Sequence, residues 1–354
     1  MMNKKTKASA AILASLLAVS MFAGCTATEG GSSSTASTAS TAASDTESKA
    51  ESGKSADLGD KVFNVGVCQL VQHEALDAAT KGFQDKLTEL LGEDHVKFDV
   101  QNAQGDSTNC ATICNQFVSS SYDLIMANAT PALQAASAAT TEIPILATSI
   151  TEYGTALEIE NFNGKTGINV SGTSDLAPLK DQAAMVKELC PDAKTVGIIY
   201  CSAEANSKYQ VNVMTESLTE LGYSVKEYTF ADSNDVAQVT QTACSECDAL
   251  YVPTDNTAAS NAQLIDSIAL PAKKPVIAGE EGICKGCGIA TLSISYYDIG
   301  TKTGEMAYDI LVNGAKPAEM DIAYAPKFEK KYVAARCEEL GITIPDGYEA
   351  IAAE

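Results

Sequence analysis

From Lys61 onward, short β-rich runs alternate with amphipathic helical stretches, and the alternation runs through twice. The first set of expected strands is Val62–Cys68, Val96–Asn102, Leu124–Asn128, Ile145–Ser149 and Thr166–Val170. Between the first two lies a helix with Leu76, Ala79, Phe83, Leu87 and Leu90 on one stripe, closed by Gly92. The second set is Thr195–Cys201, Ser224–Thr229, Ala249–Pro253, Val276–Ala278 and Ile289–Ser295, with helices expected at Asn206–Leu221, Asn234–Ala243 and Thr257–Ile268. Parallel strands need crossover helices, and helices on both faces give a doubly wound sheet. Two such sets predict an α/β protein of two Rossmann-like lobes. A leftover helix, Tyr297–Val312, and a leftover strand, Lys327–Val333, suit a chain that crosses between lobes more than once. The expected division is 61–172 plus about 296–322 for one lobe and 173–295 plus about 323–354 for the other. A multi-strand hinge between them, with strand ends facing each other, makes a cleft that can close on a small molecule.

The chain has 354 residues, enough for two such lobes, and 45% hydrophobic residues, enough for packed cores. A net charge of -22 argues against nucleic acid, which needs clustered cations. With two histidines, His73 and His95, a His-rich metal site is not expected, nor is any cofactor. The one arginine, Arg336, leaves few ways to hold an anion except by backbone N–H groups.

Residues 1–24 read as a signal peptide: lysines, then an apolar run from Ala8 to Phe22. Ala23-Gly24-Cys25 resembles the bacterial lipoprotein signal, which implies lipidation of Cys25. Residues 25–60 form a tether rich in Ser, Thr and Ala, with a root-mean-square span of roughly 30 Å. A lipid-anchored body facing outside the cytoplasm is the expected arrangement.

Six loops, each directly after an expected strand or opening a helix, carry a further resemblance. They are QLVQHEALDAATKGF (Gln69–Phe83), QNAQGDS (Gln101–Ser107), ANATPALQAA (Ala127–Ala136), IYCSAEANS (Ile199–Ser207), YVPTDN (Tyr251–Asn256) and AGEEGICKGCGIATLSISYYDIG (Ala278–Gly300). In this order they resemble the lipoprotein substrate-binding family of ABC transporters that includes tryptophan- and tyrosine-type receptors. That resemblance implies a type I periplasmic-binding-protein fold, no catalysis, and delivery of a solute to a permease with its ATPase. It also implies an amino-acid ligand, aromatic or large and apolar. A sensory receptor, or one for a sugar or nucleoside, would use the same closed cleft. The chain departs from the family pattern at Glu74 and at Glu152-Tyr153.

The candidate ligand contacts are Gln69, His73, Thr130, Thr148, Ser202, Asn206, Ser207, Asp255, Asn256 and Glu280. Thr130, as N-cap before Pro131, and Ser202–Ser207 open helices whose free N–H groups suit a carboxylate. Asp255 is the expected partner for an ammonium group, or else an Asx cap. Tyr296 and Tyr297 fall at a lobe crossing. Of eleven cysteines, Cys244/Cys247 and Cys284/Cys287 have metal-like spacing, but one pair precedes an expected strand's start and the other follows the next strand's end, at opposite edges of the lobe, so local disulfides or free thiols are expected rather than zinc.

Overall fold

A computed structural model of the chain describes residues 58–352. The signal segment, Cys25 and all but the last three residues of the expected tether lie outside the described residues. The strands are β1 (Phe63–Gln69), β2 (Val96–Asn102), β3 (Leu124–Asn128), β4 (Ile145–Ile150), β5 (Val170–Ser174), β6 (Thr195–Cys201), β7 (Ser224–Phe230), β8 (Ala249–Val252), β9 (Val276–Ala278), β10 (Ala290–Ser293), β11 (Ala323–Tyr324), β12 (Glu329–Tyr332) and β13 (Glu349–Ala350). They form two sheets, ordered β11-β5-β4-β3-β1-β2 and β13-β12-β10-β9-β8-β6-β7. The first is parallel throughout; in the second only the β10–β12 pair is antiparallel. Helices cover both faces of each sheet, so β3 and β4 are buried along their whole length and the edge strand β7 is mostly not.

The chain passes between the sheets three times. Residues 175–178 join β5 to helix Leu179–Leu189, which lies on the second sheet through Gln182 Nε2, bonded to Gly279 O and Leu292 O. Residues 294–295 join β10 to helix Tyr296–Leu311, which returns to the first lobe. Residues 325–328 join β11 to β12. Helix Tyr296–Leu311 meets helix Glu74–Leu91 at backbone contact: a Cβ on Gly300 would stand 2.0 Å from Ala79 O, and one on Gly82 2.1 Å from Tyr297 O. Only glycine permits that approach, and it fixes the second crossing rigidly to the first lobe.

Three elements differ from the sequence reading. The fifth strand lies four residues later than Thr166–Val170. Gly164 and Gly167, both at positive φ, turn the chain before it, and Thr166 Oγ1 donates to Val170 O. The true strand, Val-Ser-Gly-Thr-Ser, looks polar because Thr173 bonds Thr148 and Thr303 inside the lobe. The helix expected at Thr257–Ile268 breaks into Asn256–Ser260 and Ala262–Ala269, where Asn261 turns its side chain back onto Thr257 O. Thr130 is not the N-cap; Ala129, at φ 87, takes that place and Thr130 becomes the first helical residue, with a buried Oγ1 that finds no partner.

All ten cysteines among the described residues are free and buried. Among the described residues no cluster of three or more His, Cys, Asp or Glu has metal-holding geometry, and no helix is long and apolar enough to cross a membrane. Arg336 serves the fold: its guanidinium bonds Asp266 and the carbonyls of Cys284, Gly286 and Gly288, closing the C-terminus of helix Glu281–Cys287.

Candidate functional site: a closed cleft between the lobes

The carboxyl ends of both sheets converge on one enclosed cavity. From the first lobe come His73, Leu76, Ser149 and Thr151; from the second, Asn206, Thr254, Asp255, Asn256, Ala259 and Glu280; from the crossings, Asp175 and Tyr296. The space left is about 10 Å³. That is room for one water at most, so any organic ligand must enter while the lobes are apart. Two contacts hold them together at the rim: His73 Nε2 lies 3.3 Å from Asn256 Oδ1, and the Lys285 ammonium pairs with the Glu74 carboxylate.

The second-lobe wall is built from capped carboxylates. Asp255, 1% exposed, ends the β8 segment and caps helix Asn256–Ser260. Its Oδ1 accepts from Ala258 N (2.8 Å), and its Oδ2 accepts from Cys201 N and Ser207 Oγ (both 2.7 Å). Glu280 follows β9 and caps helix Glu281–Cys287, accepting from Gly282 N (2.6 Å) and Ile283 N. Burial pushes both carboxyls up to about 7, with the nearby Glu204 charge adding to the effect at Asp255. Glu204 binds the same loop from behind, accepting from Asn256 N, Asn256 Nδ2, Thr257 N and Thr257 Oγ1.

The first-lobe wall is different. Ser149 closes β4 at φ 58, a left-handed conformation costly for a residue with a side chain, and its Oγ is buried with no partner. His73 Nδ1 is likewise buried and unpartnered, and burial lowers the His73 pKa, which favours the neutral ring. Across the cavity Asn206 Oδ1 is the third such atom. Buried polar atoms are almost always paired, so three orphans around one cavity mark groups kept for something that enters it.

Of the ten residues expected from sequence, His73, Asn206, Asp255, Asn256 and Glu280 line the cavity. Ser207 stands directly behind it, orienting Asp255. Thr130, Thr148 and Ser202 do not line it: Thr148 accepts from Thr173, and Ser202 Oγ donates to Phe230 O. Gln69 faces a separate groove of the first lobe, where Thr80, Asp77 and Val71 O use both ends of its amide. Glu152 caps helix Tyr153–Ala156, and Tyr153 is buried with its hydroxyl on Ala147 O and Thr173 O, so the Glu152-Tyr153 departure does not reach the cavity. The sequence reading missed Ser149, Thr151, Thr254 and Asp175. Ser149 directly follows Thr148 at a strand end and Thr151 stands three residues on, which was a usable signal; Asp175 was hidden by the misplaced β5.

Two lobes built on mostly parallel sheets, three crossings and a polar cleft at the strand ends define a solute-binding protein of the type I periplasmic fold. The chain belongs to the family described as ABC transporter substrate binding protein, whose model matches residues 64–354. It is 37% identical over 312 residues to a tyrosine-binding protein of Clostridioides difficile (strain R20291), covering 88% of this chain and 85% of the relative. A solved ABC domain from Streptococcus pneumonia in complex with L-Trp is 34% identical, with TM-score 0.78, over 82% of this chain and all of that one. The ligand-free, open structure of a substrate-binding protein with adhesive properties from Clostridium difficile is 36% identical, with TM-score 0.63, over 83% of this chain and all of that one. At nearly equal identity the ligand-bound neighbour superposes better, in agreement with the closed cleft seen here.

Proposed function

We propose that the protein captures an amino acid with an aromatic or large apolar side chain and delivers it to a membrane permease driven by an ATPase. Cys25 carries the lipid that holds it on the outer face of the cell membrane, and the body works extracytoplasmically. The observation that supports the amino-acid reading is the make-up of the cavity. Its walls carry the carboxyls of Asp175, Asp255 and Glu280 and no Lys or Arg, together with three unpartnered neutral groups. Buried carboxyls without a cation suit a ligand that brings its own ammonium group. The Ser149 hydroxyl then suits its carboxylate, while the unpartnered His73 Nδ1 and Asn206 Oδ1 are acceptors that suit the ammonium group. What the relatives are named for, tyrosine and L-Trp, points the same way.

The test is a thermal-shift panel on the purified protein with L-tyrosine, L-tryptophan, the other amino acids, sugars and nucleosides. A ligand at about 100 times its Kd raises stability by about 2.7 kcal/mol. The expected result is a shift with aromatic amino acids; a shift with sugars or nucleosides and with no amino acid contradicts the reading.

A further inference from the structure

Three carboxyls border the cavity, and they are not equivalent. Those of Asp255 and Glu280 already accept from backbone N–H groups at helix N-termini, bonds that fix both residues as caps. Asp175 has no such duty. It is buried on the first crossing, begins no helix, and its carboxyl accepts from two neutral hydroxyls, Thr151 Oγ1 at 3.1 Å on Oδ1 and Tyr296 OH at 2.9 Å on Oδ2, besides its own backbone N–H. A carboxylate offers about four acceptor sites, so some of its capacity remains for a ligand. The orphaned Ser149 Oγ and Asn206 Oδ1 border the same cavity, one from each lobe.

We propose that Asp175 is the residue that pairs with the ligand's ammonium group, and that through Tyr296 it ties the bound ligand to two of the three lobe crossings. The proposal rests on the amino-acid reading above and locates its charge recognition. Tyr296 opens the helix that the glycine contacts clamp to the first lobe, and Asp175 begins the segment leading into the second. An ion pair at that point forms where the lobes pivot, so ligand charge and closure are read by the same side chain. Burial pushes the Asp175 carboxyl up to about 6, as expected of an acid whose hydroxyl partners compensate its charge incompletely.

The experiment titrates the full-length wild type and Asp175→Asn by calorimetry with L-tyrosine and with L-tryptophan. It repeats the titrations with the analogues lacking the amino group, 3-(4-hydroxyphenyl)propionate and 3-indolepropionate. Asp175→Asn should weaken amino-acid binding by about 100-fold or more. Affinity for the analogues should change by less than about threefold, a selectivity that a merely structural defect would not produce. Equal amino-acid binding by wild type and variant overturns the assignment and leaves the amino-acid reading standing. Silence of the wild type toward both amino acids overturns both. Should the variant not fold, a crystal structure of the wild type with L-tyrosine decides. Ammonium within hydrogen-bond distance of Asp175 supports the proposal, and ammonium on Asp255 or Glu280 instead overturns it.

Discussion

The two walls of the cleft are made in opposite ways. On the second lobe every charged group is already satisfied: Asp255 and Glu280 cap helices, and Glu204 gathers the N–H groups of the Asn256–Thr257 turn. On the first lobe Ser149 and His73 are unsatisfied, and Ser149 is strained as well. Apart from Asn206 Oδ1, the second wall is therefore a finished piece of protein that holds its carboxyls in place without needing a ligand. The first is incomplete until a ligand arrives. Stability should reside in one wall and recognition in the other, and substitutions can separate them.

The largest effect is expected on the finished wall. Asp255→Ala leaves Cys201 N, Ser207 Oγ and Ala258 N without their acceptor, two of these bonds spanning β6 and helix Ala205–Glu220. Unfolding free energy should fall by about 2–4 kcal/mol, measured by denaturant melts. The Asx cap that the sequence left open for Asp255 is present in the structure, backed by three hydrogen bonds. An unchanged melt would show that the wall is not held by its caps.

Next comes an unusual pH dependence. Asp175, Asp255 and Glu280 have folded pKa values raised above their unfolded ones, to about 6, 7 and 7. Between about pH 4 and 7 the folded state keeps protons that the unfolded state has lost, so stability falls as pH rises. Exposed carboxyls with lowered values, such as Asp85 and Asp106, are ionised in both states above about pH 5 and contribute little there. His73, whose value is lowered, opposes the trend as pH falls, one group against three. The ligand-free protein should melt roughly 2–5 °C higher at about pH 5.5 than at about pH 7.5. A melting temperature that rises with pH over this range would contradict the buried-acid description of the cleft.

The interlobe contacts at the rim give a smaller effect. Lys285→Met removes the partner of Glu74 in a pair whose side chains are 28% and 50% exposed. Solvent screening limits such a pair, so ligand dissociation should speed up only about two- to fourfold, with association unchanged. Stopped-flow measurement of both rates checks this; a change confined to association would show that the pair does not act in the closed state.

Much of this was legible beforehand for a physical reason. β3, β6 and β9 are apolar runs bounded by turn residues, and their limits match the expected ones residue for residue. β5 was not legible, because a Ser/Gly/Thr strand buries hydroxyls that pair with another helix, and no periodicity reports that. The site divided along the same line. Asp255, Glu280 and Asn206 follow obvious strands, whereas Asp175 follows the misplaced β5; the place of Ser149 beside Thr148 was readable, its positive φ was not. Gln69 looked like a contact by position, but Thr80 and Asp77 had already claimed its amide.

The contrast between the walls is tested most directly at Ser149. Glycine relieves the positive φ and removes the orphaned hydroxyl together, so Ser149→Gly should raise the melting temperature of the ligand-free protein, a gain of up to about 1 kcal/mol. The same substitution should weaken calorimetric binding of L-tyrosine by roughly tenfold, through loss of a hydrogen bond to the carboxylate. A more stable protein that binds less tightly is the predicted result. A less stable protein, or one whose affinity is unchanged, would contradict the view that the first-lobe wall is held in strain for its ligand.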